Sequence, residues 1–237
     1  LTLAVLGRPI SVAHLGTLFG LPEADAAAIG LSLTASGVAV TDASRVNIRS
    51  RFPDAGLRIA EGSGWKGFTA AHGRAAAVLE KDGHGGTPAY ALHLLQSGDT
   101  LGIPAALRLV DSSHVPPSEV ARLAEAVLAW PMPTALESFA RRRWAMAEVR
   151  RGRPEAARTI LTRAIDTAGS AAGVAHGRLL LALTLMRLGK AAEARVEYEA
   201  VAGAASATPD ARLRGLAARV AGELALADGR PEEAAQR

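Results

Sequence analysis

Three similar six-residue segments recur in the second half of this chain and constrain its fold most strongly. They read GRPEAA at 152–157, GKAAEA at 189–194 and GRPEEA at 229–234. Each segment follows an apolar helical pattern that ends in a glycine, and each opens a new pattern with an alanine five residues after that glycine. Proline is tolerated in the first turn of a helix, and a left-handed glycine commonly ends one. The segments therefore predict the turns inside antiparallel helix pairs of a repeat array.

The helical patterns around these turns have a regular period. First-helix patterns cover 134–151, 171–188 and 210–228, and second-helix patterns cover 154–168 and 191–204. The turns are separated by 37 and then 40 residues, close to the period of about 34 residues of a tetratricopeptide repeat. Such repeats bury their core only between neighbours. We therefore expect the third repeat, which stops at Arg237, to have a successor.

The composition favours helices that pack through small side chains. Hydrophobic residues make up 49% of the chain and aromatic residues 4%, which suits alanine-rich helices better than a sheet. The absence of cysteine excludes disulfides, thiolate metal sites and a cysteine nucleophile. The longest apolar run, 179–186, is far shorter than the roughly 20 residues of a membrane span. Because the chain starts at Leu1 without a charged leader, we expect a cytoplasmic segment of a longer protein, with no membrane partner.

Short helices followed by an alternating pattern mark the N-terminal part. Residues 1–6 read as the end of an apolar helix, Ser11 as the N-cap of a second helix, and 22–36 as a third helix. After Gly37 come three apolar residues at 38–40, a polar turn at 41–45, and alternating apolar and polar residues at 46–52, as in a β-hairpin with one solvent-facing side. Three helices and a hairpin in this order predict a winged-helix-like domain over 1–62.

Helical patterns also connect this domain to the repeats. They cover 68–79, 88–96, 104–110 and 118–130. The predicted fold class is thus mainly α, with a winged-helix domain and small hairpin at 1–62, a helical connecting arm at 63–133 and a tetratricopeptide-like superhelix at 134–237. The third repeat of that superhelix is truncated.

The repeats resemble the tetratricopeptide pattern at the positions where facing helices pack. The matches are Trp144, Ala145, Ala157, Leu161 and Ala164 in the first repeat, Leu181, Ala182, Ala194, Tyr198 and Val201 in the second, and Ala221, Gly222 and Ala234 in the third. Small residues at these positions let the helices approach closely. The departures are Arg141, Arg178 and Ala218, which stand where the family prefers tryptophan.

Several phrases of the whole chain resemble the large ATP-binding LuxR-type transcription regulators, a branch of the signal-transducing ATPases. They are LAVLGRPIS at 3–11, LFGLPE at 18–23, ASGV at 35–38 and YALHLLQSGD at 90–99. A departure lies at Phe52, where that family usually has a histidine before the proline. The resemblance implies that ATP-binding loops lie upstream and a DNA-binding helix-turn-helix downstream of this segment.

On this resemblance, the segment is a regulatory or sensor arm and not an enzyme. Its repeats would bind a small-molecule effector or a protein partner, and the winged helix would relay binding to the upstream ATPase domain of the same chain. No catalytic residue, metal or cofactor is expected in the segment. Because G-x-x-x-x-G-K-[ST] does not occur in it, ATP is expected only in the upstream domain. The alternative is a free-standing tetratricopeptide adaptor that scaffolds protein–protein interactions.

The charges of the predicted winged helix argue against DNA binding. No lysine or arginine lies between Arg8 and Arg45, and the third helix carries Glu23 and Asp25. DNA readout needs donors on that helix and phosphate contacts around it. Only arginines 45, 49 and 51 on the hairpin could reach phosphate, so we expect no nucleic-acid contact through this segment.

Three other patterns have plainer interpretations than catalysis. The sequence GSGWKG at 62–67 matches the dinucleotide fingerprint but has no buried strand before it. The sequence GHGG at 83–86 has no G-x-S-x-G partner. The six histidines are scattered singly, which favours core or surface roles over a metal site or a general base.

The repeats carry the positive charge of the chain. Residues 134–237 hold 17 Lys and Arg against 12 Asp and Glu, whereas residues 1–133 hold 10 against 11. A solvated helical face is one explanation. The other is a ligand groove along the first helices of the pairs, since such arrays bind on their concave side. We predict that Arg141, Trp144, Arg178 and Arg214 line this groove and accept an anionic inducer or an acidic peptide.

Overall fold

A computed structural model describes residues 2–41, 47–50, 56 and 67–232. Within these residues the chain is mainly helical, with twelve α-helices, one short 3-10 turn and one three-stranded sheet. The predicted mainly α fold class is confirmed. The chain divides into two compact units, unit 1 at Leu1–Ala106 and unit 2 at Leu107–Arg237. The domain boundaries predicted at 62 and 133 would divide these units further, and they stay a prediction.

Unit 1 begins with short elements. Its elements are α1 (Thr2–Leu6), β1 (Ile10–Ser11), a 3-10 turn (Val12–His14), α2 (Leu15–Phe19), α3 (Glu23–Ala35), β2 (Ala39–Thr41), β3 (Asn47–Ser50), α4 (Phe68–Lys81), α5 (Pro88–Gln96) and the first half of α6 (Gly102–Asp111). The hairpin predicted after Gly37 is present as β2 and β3. The residues of its turn, 42–46, and those after it, 51–55, lie outside the described residues.

The sheet has a third strand that the sequence did not predict. β3 lies between β1 and β2 and is antiparallel to both, with Ile10 opposite Ile48 and Val40 opposite Arg49. Ser11, predicted as a helix N-cap, is instead the last residue of β1. A strand of two residues is too short to show an alternation of apolar and polar side chains, so it could not be predicted from the sequence. It is recognised only by its pairing with β3.

The core of unit 1 joins the N-terminal helices, the sheet and α4. Its buried residues are Leu3, Leu6, Ile10, Leu15, Leu18, Ala26, Ala39, Ile48, Ala75, Val78 and Leu79. Polar contacts hold α4 against α2: Arg74 Nε donates to the Leu18 carbonyl oxygen at 2.7 Å, and Lys81 Nζ to Thr17 Oγ1 at 3.1 Å. His14 Nδ1 lies 2.7 Å from an Asp82 carboxylate oxygen. α4 is therefore an integral part of unit 1.

Unit 2 consists of helices packed in succession. They are the end of α6, then α7 (Pro117–Leu128), α8 (Thr134–Arg150), α9 (Pro154–Asp166), α10 (Ala171–Arg187), α11 (Ala191–Ala207) and α12 (Ala211–Ala227). Each helix from α7 onward packs against the next, and α10 also contacts α8 and α12. The predicted helices of the array begin and end within three residues of these bounds. Short connections make neighbouring helices antiparallel.

The three recurring segments form the same turn. Gly152, Gly189 and Gly229 have positive φ angles of 75°, 71° and 72°. In the first turn, the Gly152 amide donates to the Val149 carbonyl, and the next amide donates to the Glu148 carbonyl. The other two turns repeat both hydrogen bonds, with the glycine amides donating to Met186 and Leu226. This pair of bonds closes a helix around a left-handed residue, which explains the glycine in each segment.

The small residues of the repeat pattern are buried between the helices. Ala145, Ala157, Ala164, Ala182 and Ala194 are all fully buried. All of them except Ala164 belong to one core cluster with larger side chains, among them Leu161, Leu179 and Val220. Close approach of the helices at these alanines places the leucines in contact, as expected for a helical-repeat-like fold.

No helix in the described part of the chain has both the length and the apolar composition to cross a membrane.

Alanine substitution at two glycines of unit 2 should change the free energy of unfolding in opposite directions. A Cβ atom on Gly177 would lie 2.7 Å from Ile165 Cγ1, whereas a Cβ on Gly203 would meet nothing within 4 Å. We expect Gly177→Ala to lower the free energy of unfolding by about 1–2 kcal/mol, because overpacking outweighs helix propensity. Gly203→Ala should raise it by about 0.5–1 kcal/mol. Urea unfolding of the full chain, followed by circular dichroism, measures both; shifts of the same sign would contradict the packing of α10 against α9.

Candidate ligand groove

A groove of about 770 Å³ runs along the first helices of the three pairs, α8, α10 and α12. Its lining residues are Phe139, Arg142, Arg143 and Met146 of α8, His176 and Leu180 of α10, Arg212, Gly215, Leu216 and Arg219 of α12, together with Asp111 and Asp210. The groove thus combines an apolar surface with four guanidinium groups. Its volume lies within the range of small-molecule sites.

Helical geometry explains why these side chains share one surface. Residues 139, 142, 143 and 146 have the i, i+3, i+4, i+7 spacing of a single helix face, and 212, 216 and 219 have nearly the same spacing on α12. His176 and Leu180 are one turn apart on α10. Since α10 contacts both α8 and α12, the three faces join into one groove.

The two arginines of α8 are held in place by neighbouring groups. Arg142 Nη1 donates to Ser138 Oγ at 2.7 Å, and Ser138 Oγ donates to the Ala164 carbonyl oxygen at 2.9 Å. Arg143 forms an ion pair with Asp111 and places its guanidinium carbon 5.5 Å from the centre of the Phe139 ring. These contacts orient both guanidiniums and leave further N–H groups available to a ligand.

The arginines of α12 differ in their partners. Arg219 Nε lies 3.1 Å from Glu223 Oε1. Arg212 is exposed, and its guanidinium has no ion-pair partner within the described residues. Asp210 accepts hydrogen bonds from the backbone amides of Arg212 and Leu213 at 2.9 and 3.3 Å, and so caps α12. Among the groove arginines, the Arg212 guanidinium is thus the one with the fewest polar partners in the described residues.

The positive charge of the groove exceeds its negative charge. Four arginines and two aspartates line it, which leaves a formal charge of +2. Burial lowers the pKa of Arg142, and burial with the nearby Arg150 and Arg212 lowers the pKa of Arg143. For His176, burial and then Arg142 and Arg143 lower the pKa from 6.5 to about 4, while Asp210 acts in the opposite direction. Burial is the main cause of all three shifts, and at Arg143 and His176 the neighbouring arginines add repulsion, which a bound anion would offset.

The four residues predicted to line a groove lie elsewhere on the same helices. Arg141 pairs with Glu137 at 2.7 Å, and Arg178 with Glu197 at 2.9 Å. Trp144 Nε1 donates to Glu148 Oε1 at 3.3 Å, and Arg214 Nη1 donates to the Thr208 carbonyl oxygen at 2.7 Å. None of these residues lines the 770 Å³ groove. Their role in ligand binding stays a prediction about a different face of the helices.

The groove residues were missed because the sequence prediction compared repeats by their tetratricopeptide positions. One residue along a helix turns the side chain by about 100°, so Arg141 and Arg142 face different surroundings. The spacing of 139, 142, 143 and 146 is visible in the sequence and could have indicated this face. The assignment of His176 to the same surface needed the packing of α10.

Two further sequence patterns, at 62–67 and 83–86, differ in how far the structure describes them. The fingerprint at 62–67 lies outside the described residues except for Gly67, which precedes α4. The segment 83–86 connects α4 to α5, and Thr87 caps α5 through the Tyr90 amide. Within the described chain, no three His, Asp or Glu side chains form a group that could hold a metal ion.

Two of the scattered histidines meet in the core of unit 1. His72 Nδ1 lies 2.7 Å from His93 Nδ1, and both side chains are buried. Burial and the neighbouring His93 lower the pKa of His72 to about 4. The two ring nitrogens therefore share a hydrogen bond, which is a structural contact between α4 and α5. The core role predicted for histidines is confirmed at these two positions.

Neither a protein-family model nor a curated protein sequence matches this chain.

Proposed function

We propose that this chain is the sensor arm of an ATP-dependent transcription regulator and binds an anionic effector in the groove of unit 2. The groove carries this proposal, because two arginines of α8 and two of α12 converge on one cavity with two aspartates. A winged-helix-like domain at 1–62 would relay occupancy to an ATPase domain of the same protein. No step of chemistry is assigned to the segment itself.

A tetratricopeptide-like superhelix at 134–237 is supported by three features together. The period of 37 and 40 residues, the identical left-handed turns, and the fully buried alanines at corresponding positions all suit this family. In such arrays the first helices of the pairs form the inner surface, where ligands bind. The groove lies along those helices.

The relay part of the proposal rests on unit 1. Its order of α1, β1, α2, α3, β2 and β3 suits a winged helix, and the pairing of β1 with β3 supports it further. α3 carries Glu23 and Asp25 in its first turn and no basic residue in its last. These acidic groups would repel a DNA backbone, so a role in transmission fits better than one in DNA binding.

The groove favours an effector that combines a negative charge with an apolar body. Guanidinium groups bind carboxylate, sulfonate or phosphate oxygens through charge-assisted hydrogen bonds. Phe139, Met146, Leu180 and Leu216 offer apolar contact along the same groove. The volume of about 770 Å³ accommodates a molecule of cofactor size.

A fluorescent organic anion tests the proposal. Aminopyrene trisulfonate has a flat apolar body and sulfonates that stay charged at every working pH, and fluorescence anisotropy of the dye reports binding to the full chain. We expect saturable binding that weakens with added salt, because surface charge attraction is screened. Arg212→Glu should weaken binding about tenfold or more, since it removes one charge-assisted hydrogen bond and adds repulsion. Arg142→Gln should weaken it in the same direction.

The matched controls are Arg178→Glu and Arg214→Glu, which reverse charges on the same helices outside the groove. We expect both to change the dissociation constant by about twofold or less. If these two variants lost binding and Arg212→Glu did not, the ligand surface would be the face predicted from the sequence. If the dye did not bind at all, or no variant changed its affinity, the proposed anion site would be wrong.

The adaptor alternative makes different predictions in two simple comparisons. A free-standing adaptor should bind a glutamate-rich peptide more tightly as the peptide is lengthened beyond the groove, whereas an effector site should saturate with a short one. The sequence preceding residue 1 in the parent protein gives the second comparison. A phosphate loop there supports the regulator, and an initiator methionine directly before residue 1 supports the adaptor.

A further inference from the structure

His176 occupies a central position in the groove of unit 2. It lies on α10 between the faces of α8 and α12, and its imidazole makes no hydrogen bond or ion pair within the described residues. The charged groups that share the groove with it are Arg142 and Arg143 of α8, Arg212 and Arg219 of α12, Asp210 before α12, and Asp111. Both ring nitrogens are therefore left for a ligand, in surroundings dominated by arginine.

We propose that His176 is a direct contact of the anion and takes up a proton when the anion enters the groove. The groove would thus bind an anion and a proton together. This inference rests on the proposed function, because it concerns the same site, and it adds a dependence on pH to that site.

The empty groove keeps His176 neutral. Burial is the main cause, and Arg142 and Arg143 add repulsion, which together lower the pKa to about 4. Asp210 opposes this shift, but its carboxylate is engaged with the backbone amides at the start of α12. A neutral imidazole at physiological pH offers one donor and one acceptor nitrogen.

An anion bound between the arginines would favour the protonated form of the His176 imidazole over the neutral form. Its negative charge offsets Arg142 and Arg143, and its oxygen accepts a hydrogen bond from the protonated ring. Both effects favour the charged imidazole. The pKa of His176 is then higher in the complex than in the empty groove, so binding takes up a proton. By linkage, affinity rises as pH falls through the pKa of the complex.

The size of the effect follows from the two pKa values. If the anion restores His176 to its ordinary value of 6.5 from about 4, affinity rises about tenfold between pH ~7.5 and pH ~5.5. Calorimetry in two buffers with different ionisation enthalpies measures the proton uptake directly. Aminopyrene trisulfonate is the suitable probe, because its sulfonates do not titrate in this range.

Two variants separate His176 from other titrating groups. His176→Gln should lose the tenfold gain in affinity at low pH and the proton uptake, because it removes the titrating ring. His114→Gln, at an exposed histidine outside the groove, should retain both. Circular dichroism across the pH range checks that each variant stays folded.

The possible outcomes distinguish this inference from the function on which it rests. Binding that is independent of pH, or a pH dependence that persists in His176→Gln, would overturn the proton coupling and leave the anion site intact. Failure of the probe to bind at any pH would overturn both. Proton uptake by the unaltered chain and its loss in His176→Gln alone would support the inference.

Discussion

Replacing Leu179 by alanine should lower the free energy of unfolding by about 3–4 kcal/mol. Leu179 is fully buried in the centre of α10 and belongs to the core cluster that includes Leu161 and Val220. α10 packs against α8, α9, α11 and α12, so the surrounding helices cannot all move inward to fill the space. The loss therefore contains both the transfer energy of the removed methyl groups and the energy of a cavity.

Urea unfolding of the full chain, monitored by far-ultraviolet circular dichroism, measures this loss. The matched control is Leu226→Ala on α12, because that leucine is 57% exposed. We expect the control to change stability by about 0.5 kcal/mol or less. A loss below about 1 kcal/mol for Leu179→Ala would mean that α10 is not the centre of the repeat core.

Exchange of Glu148 for alanine should destabilise the first helix pair by about 2–3 kcal/mol. The side chain of Glu148 is buried at the end of α8. Its Oε1 accepts hydrogen bonds from Arg151 Nη1 at 2.7 Å and Trp144 Nε1 at 3.3 Å. Arg153 Nε lies 2.9 Å from Oε2, at ion-pair distance without the direction of a hydrogen bond.

These contacts fix the turn that contains Gly152, because Arg151 and Arg153 stand on either side of it. Removal of the carboxylate leaves the indole N–H of the half-buried Trp144 without its partner and Arg151 and Arg153 without the negative charge that both pair with. Since both arginines are partly exposed, water reduces the penalty. Glu155→Ala, with a side chain 66% exposed, is the control and should cost about 0.5 kcal/mol or less. Equal losses in both variants would contradict a specific role for Glu148.

The same residue shows that the three turns are alike in backbone but not in side chains. The equivalent positions of the second and third turns carry Leu185 and Ala225, whose carbonyl oxygens accept the same backbone hydrogen bond as that of Glu148. The glycine in each segment permits the left-handed backbone conformation that these hydrogen bonds require, and this is common to all three turns. The contacts of the Glu148 carboxylate occur only in the first of these turns, so we expect the stability of that turn to depend most on its side chains.

The helices of unit 2 could be predicted almost completely from the sequence. Apolar spacing and a glycine that ends each first helix are local properties, and they predicted Gly152, Gly189 and Gly229 as left-handed residues. The buried alanines were also predicted, because a repeated small residue at one position indicates a repeated close contact. In unit 1, by contrast, β1 was missed, since two residues acquire a strand conformation only from their partner β3.

The sequence by itself determined, to within three residues, where the helices of the repeat array begin and end, and that the repeats carry the positive charge. Only the tertiary structure decided which helix face forms the groove and which arginines meet His176 in it. The physical reason is that helix periodicity is local, whereas the orientation of a face depends on how neighbouring helices pack. A turn of about 100° between Arg141 and Arg142 separates an ion pair with Glu137 from the lining of the groove.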